Sequence, residues 1–396
     1  MAVQDNMRSA PARTSLLNDP VFRGIIYQIV VAALVIAFFA WIAINTAQNL
    51  AAQNKSTGFD FLFRTAGFDI SFTLFEWSRN SYYWQAFLAG LLNTLLVAVI
   101  GIVCATILGF TLGVARLSSN WLVSRFASVY IETIRNIPLL LQLFFWYFAV
   151  LKAMPAVRNS LAFPFDIYLN QRGLMIPRPL PDEQFGWVYI AIAVAILGAI
   201  GLSRWAKRRL DATGKRFPVL LAAIGLFIVV IGGTFLVSGA SLSFDVPVLQ
   251  RFNFAGGLQL PPELVALVFG LSIYTAAFIG ENVRGGIQAV SHGQTEAAQS
   301  LGLKDGDRLR LVIIPQAMRV IVPPLTSQYL NLTKNSSLGA AIGYPELVNV
   351  FAGTTLNQTG KAIEVIAMTM GVYLVLSLLT SAFMNWYNSR VALVER

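Results

Sequence analysis

Apolar residues in this chain gather into long continuous runs, not into the narrow stripe of a soluble amphipathic helix. A helix needs about 20 such residues to cross the hydrocarbon of a bilayer. About eight segments qualify, at 23–46, 86–115, 126–151, 185–203, 217–238, 263–282, 318–340 and 362–387. Two of these, 126–151 and 318–340, are interrupted by polar residues. The pattern predicts an all-α polytopic membrane protein with about eight transmembrane helices. Long connections at 48–85 and 152–184 are rich in aromatics, Pro and Gly. Trp77, Tyr82, Tyr83 and Trp84 precede the second span, where amphipathic rings suit the membrane–water interface. Pro155, Pro164, Pro177, Pro179 and Pro181 predict an irregular loop.

Composition agrees. The 396 residues are 56% hydrophobic and 12% charged, against about 25% charged in soluble domains. The net charge of +10 follows from loop Lys and Arg, not from one basic patch. It therefore argues for membrane topology and against a nucleic-acid partner. With the N-terminus inside, the inner loops carry about twice as many Lys and Arg as the outer ones. Arg204, Lys207, Arg208, Arg209, Lys215 and Arg216 are the strongest anchor. Both termini are thus expected in the cytoplasm. The run at 25–44 is long for a signal-peptide core and lacks an obvious small-residue cleavage site, so it reads as a retained span.

Little covalent chemistry is available. Cys104 is the only cysteine and His292 the only histidine. No intrachain disulfide, His-based metal cluster or Ser/His/Asp triad can form from them. No phosphate-binding GxxxxGK[ST] loop occurs, since Thr213-Gly214-Lys215 and Thr359-Gly360-Lys361 lack the upstream glycine. Catalytic and metal residues are accordingly none, and ATP is not bound by that route.

The polar segment at about 283–317 separates two apolar spans. Ser291-His292-Gly293-Gln294 fits an S-x-x-Q capping box that starts a helix near His292. Gly302 is placed to end it. Gln294, Ala297, Ala298 and Leu301 fall at i, i+3, i+4 and i+7, on one small, weakly apolar face. That face suits a partner's groove, with Glu296 at the rim. An ordinary solvated surface helix is the other reading of the same residues.

Polar side chains inside spans are costly and commonly face a cavity or a partner. Glu132, Arg135 and Asn136 share a helix face just before Pro138. They form either an internal ion pair near the cytoplasmic end, with Pro138 kinking the helix beyond it, or part of the pathway or gate. Gln328, Asn331, Lys334 and Asn335 make a polar stripe in the seventh span, with Thr326, Ser327, Ser336 and Ser337 adding hydroxyls. Lys334 could meet a carboxylate while amides read a side chain; helix–helix glue is the alternative. Glu281 and Arg284 can pair at i, i+3. Gly109 and Gly113 make a G-x-x-x-G packing signal.

The order E-A-A-x3-G from Glu296 to Gly302, with Ile314-Pro315 downstream, resembles the EAA loop of bacterial ABC importer permeases. Residues 281–347 resemble the polar-amino-acid ABC permeases, as does Arg135-Asn136-Ile137-Pro138-Leu139-Leu140. The resemblance covers about 85–150 and 262–390, a five-span type I importer core. Beyond it stand a tail at 1–22, an additional span and loop at 23–84, and an insertion at 151–261 with two more spans. Such elaborated chains are similar to the general L-amino-acid permeases of proteobacteria. The resemblance implies a non-catalytic permease in the bacterial inner membrane that moves L-amino acids inward by alternating access. It implies an ATPase dimer carrying ATP and Mg, a periplasmic amino-acid-binding protein and a second permease, more readily as a heterodimer than a homodimer. Gln294, Glu296, Ala297, Ala298, Leu301 and Gly302 would couple to the ATPase. An ion-coupled secondary amino-acid carrier using Glu132 and Lys334 is the competing reading.

Overall fold

The computed structural model describes residues 20–52, 58–215 and 217–391. The tail at 1–19 with Arg8 and Arg13, together with Lys55, Arg216 and Arg396, lies outside the described residues. Helix α1 covers Pro20–Ala52, and α2 covers Tyr83–Arg116. Then follow α3 (Trp121–Asn136) and α4 (Leu139–Phe144), which runs on as a π-helical turn to Leu151. The insertion holds strands β1 (Leu161–Phe163), β2 (Ile167–Asn170), β3 (Gly173–Ile176) and β4 (Arg178–Pro181). Next come α5 (Phe185–Thr213) and α6 (Val219–Ser238), then β5 (Leu242–Asp245), β6 (Val248–Gln250), β7 (Asn253–Ala255) and β8 (Leu258–Leu260). The chain continues through α7 (Pro262–Gln288), α8 (His292–Ser300), α9 (Asp305–Arg308) and α10 (Ile314–Asn335). It ends in α11 (Leu356–Thr359) and α12 (Ala362–Val391).

Among the described residues, seven helices are long and apolar enough to cross a membrane, or eight if one bent pair counts as a span. The helical, multi-span class is as the sequence predicts. The bent pair is the third expected segment. The kink expected at Pro138 is a full break, with α3 and α4 meeting at 106°. Pro138 cannot continue the hydrogen-bond ladder, and Ile137 before it takes an extended conformation (φ −99°, ψ 127°). Buried Gln142 then donates to the carbonyls of Ile134 and Ile137, both at 2.9 Å, and satisfies groups that the corner frees.

α2 and α7 form the centre of the bundle. α2 buries small residues in steps of four: Gly101, Ala105, Gly109 and Gly113. A Cβ on Gly109 would stand 2.5 Å from Ile279, and one on Gly113 would stand 2.6 Å from Val283. The G-x-x-x-G signal therefore marks a crossing within this chain, where the two backbones touch. α10 packs on α7, and α12 on α10.

The expectation of an irregular loop over 155–181 is corrected. β1, β2, β3 and β8 form an antiparallel sheet, and β4 pairs with β5. Pro177, Pro179 and Pro181 alternate, so the missing N–H groups fall on one edge of the strand and the other edge stays free to pair.

Candidate functional site

α8 begins at His292 as the sequence predicts, but no capping box forms, because the Ser291 side chain makes no cap hydrogen bond. Gln294 is engaged elsewhere: its Oε1 accepts from Gln316 Nε2 of α10 at 3.0 Å. The C-terminal stop is as expected. Gly302 is left-handed (φ 72°). Gly302 N–H donates to the Gln299 carbonyl at 2.8 Å and Leu303 N–H to the Ala298 carbonyl at 3.1 Å, a Schellman closure.

The predicted apolar face of α8 is divided. Ala298 is buried, and α8 packs on the π-helical turn Leu309–Ile313 that leads into α10. Gln294 and Ala297 are exposed, and Leu301 is 80% exposed. Ala298 thus holds the helix to its own chain, while Leu301 and Ala297 remain uncovered. The cause is register: the turn before α10 passes under only one position of that face. Glu296 is exposed and its Oε1 lies 3.0 Å from His292 Nδ1, one helical turn back.

Glu132, Arg135 and Asn136 do not pair among themselves as an ion cluster. Glu132 meets Arg116 of α2 at 2.7 Å, and Arg116 also meets Glu281 of α7 at 2.6 Å. Arg284 Nε donates to Glu281 at 3.0 Å, the expected i, i+3 pair, and Arg284 also contacts Gln288. Arg116 sits at the end of α2, where it reaches both carboxylates and outcompetes the i, i+3 geometry of Arg135. Arg135 stacks over the Phe278 ring at 5.1 Å, and Asn136 Nδ2 donates to the Glu132 carbonyl at 2.7 Å. The network ties α2, α3 and α7 together at one end of the bundle.

The stripe on α10 is divided: Gln328 and Asn335 border its buried face of Ala317, Ile321, Leu325 and Leu332, whereas Asn331 and Lys334 turn off it. Asn331 and Lys334 are exposed, and Gln328 and Asn335 are half-buried. The side chains of these four make no hydrogen bond or ion pair with another described residue. Ser336 turns inward, fully buried, with Oγ donating to the Thr333 carbonyl at 2.7 Å.

A second polar cluster escaped the sequence reading. Glu346 is fully buried and accepts from the N–H groups of Val348 and Asn349, both at 2.7 Å, and from Tyr373 at 3.1 Å. Asn93 Nδ2 donates to the Pro345 carbonyl at 2.8 Å, and Leu347 N–H donates to Thr94 at 3.1 Å. These bonds hold the turn between α10 and α12 against α2. The signal was present: Glu346 is the only charged residue between Lys334 and Lys361, beside Gly343 and Pro345.

The described residues thus form a multi-span bundle with a polar stripe on α10, the short helix α8 beside it and no metal-ligating cluster. The comparisons give the family. Residues 192–393 match the binding-protein-dependent transport system inner membrane component, and the chain belongs to that family, the permeases of ABC importers. The general L-amino acid transport system permease protein AapQ of Rhizobium johnstonii is 52% identical over 382 residues, 96% of this chain and 95% of that one. The glutamate/glutamine/aspartate/asparagine transport system permease protein BztB of Rhodobacter capsulatus is 42% identical, with both chains covered at 100%. A crystal structure of an amino acid ABC transporter with histidines aligns at a TM-score of 0.46 and 22% identity, covering 78% of this chain and 95% of that chain. The expected resemblance is borne out, and coverage this complete includes the N-terminal span and the insertion.

Proposed function

We propose that this permease moves L-amino acids into the cytoplasm by alternating access, driven by a separate ATPase dimer that carries ATP and Mg. The observation that carries this reading is the division of α8. One side is fixed by buried Ala298, with α8 packed on the turn that leads into α10, and by Gln294, bonded to Gln316 of α10; the other presents Leu301, Ala297 and Glu296. A push on the free side is delivered directly to α10, which bears the polar stripe. Helix-in-groove docking uses such a small face with one larger knob. The names of the relatives support amino acids as substrates and polar, acidic or amide side chains within a broad range.

In this reading Lys334 meets the substrate carboxylate, and Gln328, Asn331 and Asn335 read the remainder. A periplasmic amino-acid-binding protein delivers the substrate, and a second permease, as a heterodimer, completes the path. Both termini face the cytoplasm, following the charge bias of the loops. The ion-coupled carrier is not favoured, because Glu132, the carboxylate it would titrate, is tied to Arg116. Glu296→Lys is expected to abolish uptake in intact cells while membrane insertion and ATP hydrolysis persist. Uptake at the normal rate by that variant would overturn the coupling role.

A further inference from the structure

A groove of about 880 Å³ runs between α2, α7 and the inserted strands, within the usual range of about 300–1,000 Å³ for small-molecule sites. Its long walls are apolar: Ile100, Cys104 and Leu108 on α2, and Val268 and Phe269 on α7. From Leu96 to Leu108 the α2 wall extends for about 18 Å at 1.5 Å per residue. That matches one leaflet of a hydrocarbon core about 30 Å thick. Leu108 and Phe269 are 42% and 47% exposed, so the groove opens sideways along the spans.

The mouth differs in character. Glu76 from the α1–α2 connection and Arg178 from β4 both line it and both are exposed. Neither side chain makes a hydrogen bond or ion pair with another described residue. Deeper in, the Ser272 hydroxyl faces the groove, is 3% exposed and has no hydrogen-bond partner among the described residues. Leu174, Leu258 and Leu260 of the insertion roof the site.

We propose that this groove holds a zwitterionic aminophospholipid. Its acyl chains lie along α2 and α7, its phosphate meets Arg178, and its ammonium meets Glu76. An apolar channel of leaflet depth with one cation and one anion at its mouth is complementary to that molecule. A singly anionic lipid would satisfy Arg178 and leave Glu76 opposed. The insertion then serves to close the headgroup end of a lipid site on the permease core.

The test uses the full transporter in vesicles, with bimane on Cys104, the only thiol of this chain. If the other subunits carry thiols, these are replaced first. Vesicles of phosphatidylethanolamine with brominated chains should quench the label, and brominated phosphatidylglycerol should quench it far less. Glu76→Ala with Arg178→Ala, both surface changes, should lower co-purified phosphatidylethanolamine about tenfold, as loss of charge-assisted bonds predicts. Equal quenching by the two lipids overturns the headgroup assignment. An unquenched label shows that lipid does not enter the groove and overturns the site, and unchanged lipid retention in the double variant overturns the pairing of the headgroup with Glu76 and Arg178.

Discussion

α7 and α6 are both membrane-spanning by length and composition, and they use the bilayer in opposite ways. In α7, 61% of the most apolar stretch is buried in the protein; in α6 the figure is 0%, although α6 is the more apolar helix. A soluble protein would show the reverse. Within a bilayer, lipid tails solvate Leu and Ile as well as a protein core does, so burial selects close fit over apolarity. α7 accordingly buries Gly270, Ser272, Thr275, Ala276, Ala277 and Gly280, whereas α6 touches chiefly α5 and buries no side chain. The core is held by shape, whereas the α5–α6 hairpin packs on itself and leaves its outer faces to the bilayer.

The sharpest way to break that contrast is to add the same side chain to both regions. Gly109→Leu should abolish recovery of folded protein, since even a Cβ there stands 2.5 Å from Ile279. Gly225→Leu in α6 meets open space within 4 Å and should leave the yield unchanged. Monodisperse protein after detergent extraction measures both. Removing bulk gives a smaller contrast. Leu271→Ala, at a fully buried site, should cost about 2–5 kcal/mol, visible as a lower thermal midpoint in detergent. Leu221→Ala in α6, 71% exposed, should change stability by less than about 0.5 kcal/mol on the same measurement.

Polar anchors carry the comparison further. Glu346→Ala orphans the N–H groups of Val348 and Asn349 in a fully buried site. The expected loss is about 1–3 kcal/mol for each unsatisfied group, again read as a thermal midpoint. The anchor of the hairpin is Asp182, which accepts from Ser241 N–H at 2.8 Å, Ser241 Oγ at 3.0 Å and Phe185 N–H at 3.0 Å. These bonds, that from the Ser241 backbone foremost, hold its carboxyl below the ordinary aspartate value of 3.8. Its contribution is therefore complete above that value and disappears as the pH falls through the lower folded value. Amide protection at Phe185 and Ser241, followed by hydrogen exchange, should hold to about pH 4 and then fall. Asp182→Asn should weaken it at every pH. Protection equal in the variant and the wild type would show that the hairpin needs no such anchor.

Much of the architecture was legible because a bilayer imposes length and continuous apolarity on each helix. The expected segments at 185–203 and 217–238 return as α5 and α6 with their cores intact. The segment at 126–151 did not return as one helix, although Pro138 was visible in it. Whether a proline bends or breaks a helix depends on what satisfies the freed carbonyls, and here Gln142 does so. For α8, the limits and the Gly302 stop were readable from local rules. The roles of its four-residue face were not, since only packing against the turn before α10 separates Ala298 from Leu301.

By itself, the sequence determined the class of protein, the number of long apolar helices, the position of the polar helix between two spans and the family motif around Glu296. Those properties follow from composition and near-neighbour spacing, which the chain carries at every position. The tertiary structure alone decided which partner each charge takes, as when Arg116 rather than Arg135 claims Glu132. It alone turned the inserted loop into paired strands and set Glu346 beneath α2. Ion pairs, strand register and close helix crossings join residues far apart in the chain, and their geometry exists only once the spans have packed.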